Sequence, residues 1–261
     1  MRRCAAVLTL ALATLGASAA SAADWPRFRG PNGAGVADGP ALPASLDPGG
    51  ALWKVAVPRG YSSPILFGDR LYLTAFDETD LHVLCLSRAD GRELWRHKAP
   101  RPRVEKVDKR NGPASPSAAV DADRVVVFFA DFGLVAYDHA GRELWRTPLG
   151  PFDNDYGMGA SPILADGLVL LSCDQSRGSF VAAFDAKTGR ERWRTPRPEA
   201  LSGHATPVVL KHPGAPDQLI VPGSFRLDAY DIKTGAVVWY ANGLPSEMKS
   251  GAVLGDGAVY V

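Results

Sequence analysis

Apolar residues along this chain gather in short blocks: "RLYLTAF" at 70–76, "RVVVFFA" at 124–130, "GLVLLSC" at 167–173, "QLIVPGS" at 218–224 and "GAVYV" at 257–261. The blocks are rich in β-branched and aromatic residues and are separated by turn residues, and no segment keeps a long helical period. They predict strands throughout. The interval 116–147 divides into four of them, "PSAAV", "RVVVFF", "LVAYD" and "ELWRT".

The blocks belong to a repeat. Each is preceded by a landmark: "SSPIL" at 62–66, "ASPSAAV" at 114–120, "ASPIL" at 160–164, "ATPVVL" at 205–210 and "SGAVL" at 250–254. Most are followed by an aspartate, a turn ending in glycine, and a tryptophan four residues on, giving Gly91, Gly141, Gly189 and Gly235 with Trp95, Trp145, Trp193 and Trp239. Trp53, in "ALWKVAV", sits at the same place without a preceding hairpin; successive tryptophans are 42, 50, 48 and 46 residues apart. A period in that range with four strands per unit predicts a β-propeller. The residue types have structural reasons. The aspartates (Asp138, Asp185, Asp231, with Asp90 slightly shifted) can accept backbone N–H groups of the turn. The glycines allow a positive φ. Each indole can bury ~150–250 Å² between neighbouring sheets.

The expected fold class is therefore all-β: a propeller of four-stranded antiparallel blades, here an incomplete ring. Whole blades are expected at about 61–99, 113–149, 159–197 and 203–242, with a partial fifth unit from Ser250 to Val261 and a lone outer strand carrying Trp53. Further repeats would be needed to close a seven- or eight-bladed ring, so the chain is read as a fragment of a longer propeller or a truncated product, an open arc of poor solubility.

Composition narrows the picture. The 261 residues are 46% hydrophobic and 22% charged, which suits a packed globular core, and the formal charge of +1 argues against a dedicated nucleic-acid binder. Residues 1–22 have the layout of a secretory signal, with Arg2 and Arg3, an apolar run, and small residues Ala20, Ser21 and Ala22 before the expected cleavage. That places the mature chain in the periplasm or outside the cell, with no transmembrane segment. An N-terminal extended segment at 23–50 leads into the repeat domain at 51–261. Cys85 and Cys173 lie in strand-like runs at different places in the repeat and read as buried free thiols.

The sequences "AFDAKTGRERW" and "AYDIKTGAVVW" resemble the repeat of the pyrroloquinoline-quinone (PQQ) family of β-propellers, and "DWPRFRGPNGAGV" resembles the mature start of secreted PQQ-like repeat proteins. That superfamily includes quinoprotein alcohol dehydrogenases and the outer-membrane assembly lipoprotein BamB. The resemblance implies PQQ and calcium as possible cofactors. In the dehydrogenases the quinone is clamped between a vicinal-cysteine disulfide ring and a tryptophan, beside calcium and an aspartate base. This sequence has no adjacent cysteine pair and no tryptophan outside the repeat positions except Trp25. A BamB-like scaffold would want a lipobox cysteine, whereas Cys4 precedes the apolar run.

Loops joining the outer strand of one blade to the inner strand of the next gather at one mouth of a propeller channel, and such loops commonly carry binding groups. The residues expected to face the axis there are Tyr61, Ser62, Asn111, Tyr156, Met158, His204 and Lys249. Asp153, Asn154 and Asp155 offer oxygen ligands of the kind calcium takes, but three adjacent residues do not supply a converging set. The loop from Arg101 to Arg110 carries five basic and two acidic residues and reads as a solvated surface that could meet an anionic partner. No catalytic set stands out. The sequence reads best as an exported, non-catalytic module binding a protein or cell-envelope component; a PQQ-dependent oxidoreductase fragment and a BamB-like assembly factor are the alternatives.

Overall fold

A computed structural model describes residues 24–37, 45 and 47–261. The expected signal at 1–22 and part of the N-terminal segment lie outside them. Among the described residues no helix is long and apolar enough to cross a membrane.

Four antiparallel sheets of four strands follow one another, each in simple up-and-down order. Blade 1 holds β1 (Ile65–Phe67), β2 (Arg70–Phe76), β3 (Leu81–Ser87) and β4 (Glu93–Ala99). Blade 2 holds β5 (Ala119–Val120), β6 (Val125–Phe129), β7 (Gly133–Tyr137) and β8 (Glu143–Pro148). Blade 3 holds β9 (Ile163–Ala165), β10 (Leu168–Cys173), β11 (Phe180–Asp185) and β12 (Glu191–Pro196). Blade 4 holds β13 (Val208–Leu210), β14 (Gln218–Pro222), β15 (Arg226–Asp231) and β16 (Val237–Asn242), and a hairpin of β17 (Val253–Gly255) and β18 (Ala258–Tyr260) begins a fifth. The ring is not closed. Residues 51–58 around Trp53 form no regular strand, because no described strand lies beside them to pair.

The core lies between blades, which is why the middle strands are apolar on both faces. Val125, Val127 and Phe129 pack toward blade 1, while the alternating Val126 and Phe128 pack toward blade 3. Strand alternation thus feeds two interfaces from one strand. Cys85 and Cys173 are free and buried in separate interfaces, and burial pushes both thiols up, that of Cys85 to about 11.

The tryptophans tie each blade to the next. Indole N–H groups donate from Trp53 to the Arg88 carbonyl at 2.9 Å, from Trp95 to His139 at 3.1 Å, from Trp145 to Ala186 at 2.9 Å and from Trp193 to Ile232 at 3.0 Å. Trp53 thereby performs the repeat's task without a strand beneath it. Each ring covers the glycine of the neighbouring turn: a Cβ on Gly189 would stand 2.4 Å from Trp145, and one on Gly235 2.4 Å from Trp193. Those two glycines also adopt φ of +70° and +73°, so both the backbone and the indole exclude a side chain. The aspartates close the turns: Asp185 Oδ1 accepts the N–H groups of Lys187 at 3.1 Å and Thr188 at 2.9 Å, and Asp231 Oδ1 those of Lys233 at 2.9 Å and Thr234 at 2.8 Å. Burying one indole contributes on the order of 4–6 kcal/mol before ordering entropy, at ~25 cal/mol per Å².

Nearer the axis the blades are joined by hydroxyls. Ser117 Oγ accepts the Ser63 N–H at 2.8 Å, and Ser161 Oγ accepts that of Ser117 at 2.9 Å. Thr206 Oγ1 accepts that of Ser161 at 3.0 Å. The N-terminal segment crosses the inner strands as a strap. Trp25 exchanges backbone bonds with Leu66 at 2.8 and 3.0 Å, Pro26 accepts from Val120 at 2.8 Å, and Asn32 exchanges side-chain bonds with the Val209 backbone at 2.8 and 2.9 Å. One segment therefore touches blades 1, 2 and 4.

Candidate functional site at the channel mouth

The loops entering the inner strands are held by polar bonds rather than regular structure. In the loop before blade 3, Asn154 donates to the Asp174 carbonyl at 3.0 Å and accepts the Tyr156 N–H at 3.0 Å, while Gln175 accepts the Asp153 N–H at 2.7 Å. Asn111, from the loop before blade 2, donates to the Tyr156 carbonyl at 2.7 Å. The loop before blade 4 is fixed by the His204 N–H on the Met248 carbonyl at 2.8 Å.

These loops enclose a cavity of about 340 Å³ lined by Asp108, Arg110, Asn111, Ser115, Tyr156, Gly159, His204 and Lys249. Tyr156 is its centrepiece. The His204 ring meets it edge to face at 6.2 Å between centroids, and the Lys249 ammonium lies 5.7 Å from its centroid. The His204 imidazole is held below its ordinary range, first by burial and then by the Lys249 charge. It is neutral at pH 7 and can offer one donor and one acceptor. The single Ser115 O–H lies within reach of two acceptors, Asn111 Oδ1 and the Gly112 carbonyl, so its hydroxyl is engaged by amide oxygens, not an imidazole. The set supplies an aromatic face, the Lys249 ammonium, an Arg110–Asp108 ion pair, an amide and a neutral imidazole: recognition chemistry rather than an activated nucleophile.

Of the seven residues read from sequence, Asn111, Tyr156, His204 and Lys249 meet in this cavity. The other three do not line it. Tyr61 stacks on Phe76 at 6.3 Å between centroids, and Ser62 Oγ bonds the backbone of Thr74 at 3.1 Å. Met158, after positive-φ Gly157, turns into the core between blades 2 and 3. Asp108, Arg110 and Ser115 join from neighbouring loop positions. The basic loop is no free patch: Arg101 reaches Asp131 at 2.8 Å, Arg103 reaches Glu105 at 2.5 Å, Lys106 reaches Asp155 at 2.6 Å and Arg110 reaches Asp108 at 2.7 Å.

The residues do not fit the cofactors implied by the sequence resemblance. Asp153, Asn154 and Asp155 diverge: Asp153 meets Arg177 at 3.2 Å, Asp155 meets Lys106 at 2.6 Å, and Asn154 is spent on the backbone. The buried cysteines lie in different blades; four of the repeat indoles are committed to turn carbonyls, and that of Trp239 donates to Gln218 Oε1 at 2.8 Å. Among the described residues Asp77, Asp80 and His82 bring ligand-type atoms within 4.8 Å of one another. They are already matched, Asp77 to His82 at 2.7 Å and Asp80 to Lys98 at 2.6 Å, and form a clasp on the β2–β3 hairpin.

The profile of the family described as "Outer membrane protein assembly factor BamB" matches residues 34–155 and 80–253. The chain is 29% identical over 143 residues to quinohemoprotein alcohol dehydrogenase ADH IIB of Pseudomonas putida, covering 52% of this chain and 20% of that protein. It is 27% identical over 227 residues to the outer membrane protein assembly factor BamB of Burkholderia pseudomallei, covering 80% of this chain and 54% of the relative. The crystal structure of quinohemoprotein alcohol dehydrogenase from Comamonas testosteroni superposes with a TM-score of 0.59 at 16% identity, over 88% of this chain and 42% of that one. The chain thus spans between about a fifth and a half of these proteins.

Proposed function

The chain belongs to the PQQ-repeat propeller family of the outer-membrane assembly factor BamB, and from that premise we propose that it is an exported, non-catalytic binding module of the cell envelope. The observation that carries this reading is Tyr156, held between His204 and Lys249 at the mouth, with the surrounding polar groups fixed by bonds to the protein itself. Such a preformed aromatic and cationic surface suits a polar segment of a partner, because little ordering entropy remains to be lost on binding. Residues 1–22 supply the export signal in this reading, and the repeat domain from 51 onward supplies the rigid frame.

The family match favours one finer version, in which the partner is a component of outer-membrane protein assembly. The test is binding of purified assembly components, measured by surface plasmon resonance, to the unmodified protein and to Y156A and K249A. Binding that weakens at least tenfold in both variants supports the module; unchanged binding removes the mouth from the interaction. The dehydrogenase reading is tested in parallel by adding PQQ with calcium and following dye-linked alcohol or sugar oxidation. Turnover there sinks the non-catalytic reading.

A further inference from the structure

A second cavity, of about 400 Å³, lies between the N-terminal strap and β9 of blade 3, whose inner strand, among the described residues, bonds neither the backbone nor a side chain of the strap. It is lined by Pro26, Arg27, Asn32, Leu164, Ala165, Asp166, Val209 and Lys211. Its charges are unevenly matched. Lys211 lies 3.1 Å from Asp217 and 3.8 Å from Asp166, so its ammonium already faces two carboxylates. Arg27 has none. Its side chain is buried, with the residue 6% exposed; one Nη donates to the Pro207 carbonyl, and Nε is buried without an acceptor. Burial alone acts on the guanidinium and brings it down to about 10. The other buried arginine among the described residues is answered: Arg197 meets Asp174 at 2.7 Å and Asp228 at 3.0 Å.

A buried charge with no counter-charge is strongly unfavourable, and a donor with no acceptor adds about 1–3 kcal/mol. A planar guanidinium is matched best by a planar carboxylate, which can take two parallel N–H bonds. The remaining walls, Pro26, Leu164, Ala165 and Val209, are apolar. The Asn32 amide is occupied by the Val209 backbone and leaves Arg27 as the principal donor. We infer that this axial cavity binds a small aliphatic monocarboxylate, with Arg27 as its receptor and the apolar walls of the strap and β9 around its tail. The site stands apart from the mouth and does not depend on the function proposed for it.

The experiment uses the purified, unmodified protein labelled with ¹⁵N-arginine, titrated with sodium acetate and then sodium butyrate at constant ionic strength set by chloride. The Arg27 Nε–H resonance, identified by its loss in R27Q, should shift and saturate, with butyrate binding several-fold more tightly than acetate. R27Q, or R27K if R27Q fails to fold, should weaken butyrate binding at least tenfold, and K211Q should change it less than threefold. No saturable shift of that resonance with either carboxylate overturns the inference. So does a shift produced only by inorganic phosphate, or butyrate affinity that survives in R27K and R27Q alike.

Discussion

Ser161 Oγ accepts the backbone N–H of Ser117 at 2.9 Å, bridging blades 2 and 3 near the axis where no strand pairing joins them. The same hydroxyl-to-amide step recurs between Ser63 and Ser117 and between Ser161 and Thr206. Both partners are buried, so removing the acceptor strands an N–H. S161A should destabilise by about 1–3 kcal/mol, and S161T, which keeps the hydroxyl, should recover much of it. Urea unfolding midpoints of the two variants check this; equal loss in both would remove the hydrogen bond from the explanation.

The turn glycines divide into two classes. Gly167 has φ of +74° with nothing near its Cβ position, whereas Gly189 has φ of +70° with Trp145 at 2.4 Å. G167A should cost only about 1 kcal/mol of backbone strain, and G189A should cost at least about 2 kcal/mol more because the indole must move. The difference between their unfolding free energies isolates the close approach, and similar values for the two would refute it.

Arg197 is the buried hub between blades 3 and 4. It contacts Asp174, Asp228 and the Tyr230 hydroxyl, at 2.7, 3.0 and 2.7 Å. Burial alone would lower its pKa, but the Asp174 carboxylate, Tyr230 and Asp228 together raise it above its ordinary value. R197M should lose about 3–5 kcal/mol, since the buried Asp174 carboxylate is left unmatched and Asp228 keeps only Arg226 at 2.7 Å, while R197M with D174N and D228N should regain part of that. Thermal unfolding of the single and triple variants decides between a charge effect and simple loss of packing.

How much of this was legible in the chain follows from where each contact lies. Trp145 and Gly189 recur at one period, so their pairing is written several times over, and the blades could be read directly. The hydroxyl series was partly hidden. In blade 2 the series uses Ser117 and not Ser115, two residues beyond the Ser-Pro step that marks the other blades, so the repeat alone points to the wrong serine. Met158, expected at the mouth from its place before the Ser-Pro step, is instead buried in the core between blades 2 and 3. The strap was not legible at all: Asn32 finds its partner at Val209, and no local pattern encodes a partner so distant.

His204 should titrate below the ordinary histidine value of 6.5. The sign follows from which state binds more protons. Above about 6.5 neither state is charged and its contribution to stability is intact; as pH falls from there through the lowered folded value, the unfolded chain takes the proton first and stability declines. Imidazole resonances followed by NMR give the value directly. H204Q should flatten the difference in melting temperature between pH 7 and pH 5 by the His204 share, and an ordinary or raised pKa would contradict the assignment.

The last hairpin leaves an open edge. Among the described residues β18 pairs only with β17, and Tyr260 and Val261 are exposed on or beside it. Unpaired edges with apolar neighbours favour association. Size-exclusion chromatography with light scattering should find the isolated chain above monomer mass at micromolar concentration, and a compact, stable monomer would overturn this.

The strap also bears on the order of assembly. Closing the 177 residues between Asn32 and Val209 carries a loop entropy on the order of 5 kcal/mol, which no local contact offsets. In a polypeptide made from its amino end, sheets can form singly as they emerge. Trp25 and Pro26 can dock on blades 1 and 2 as these form, but Arg27 and Asn32 must wait for the fourth sheet, and so become native among the last.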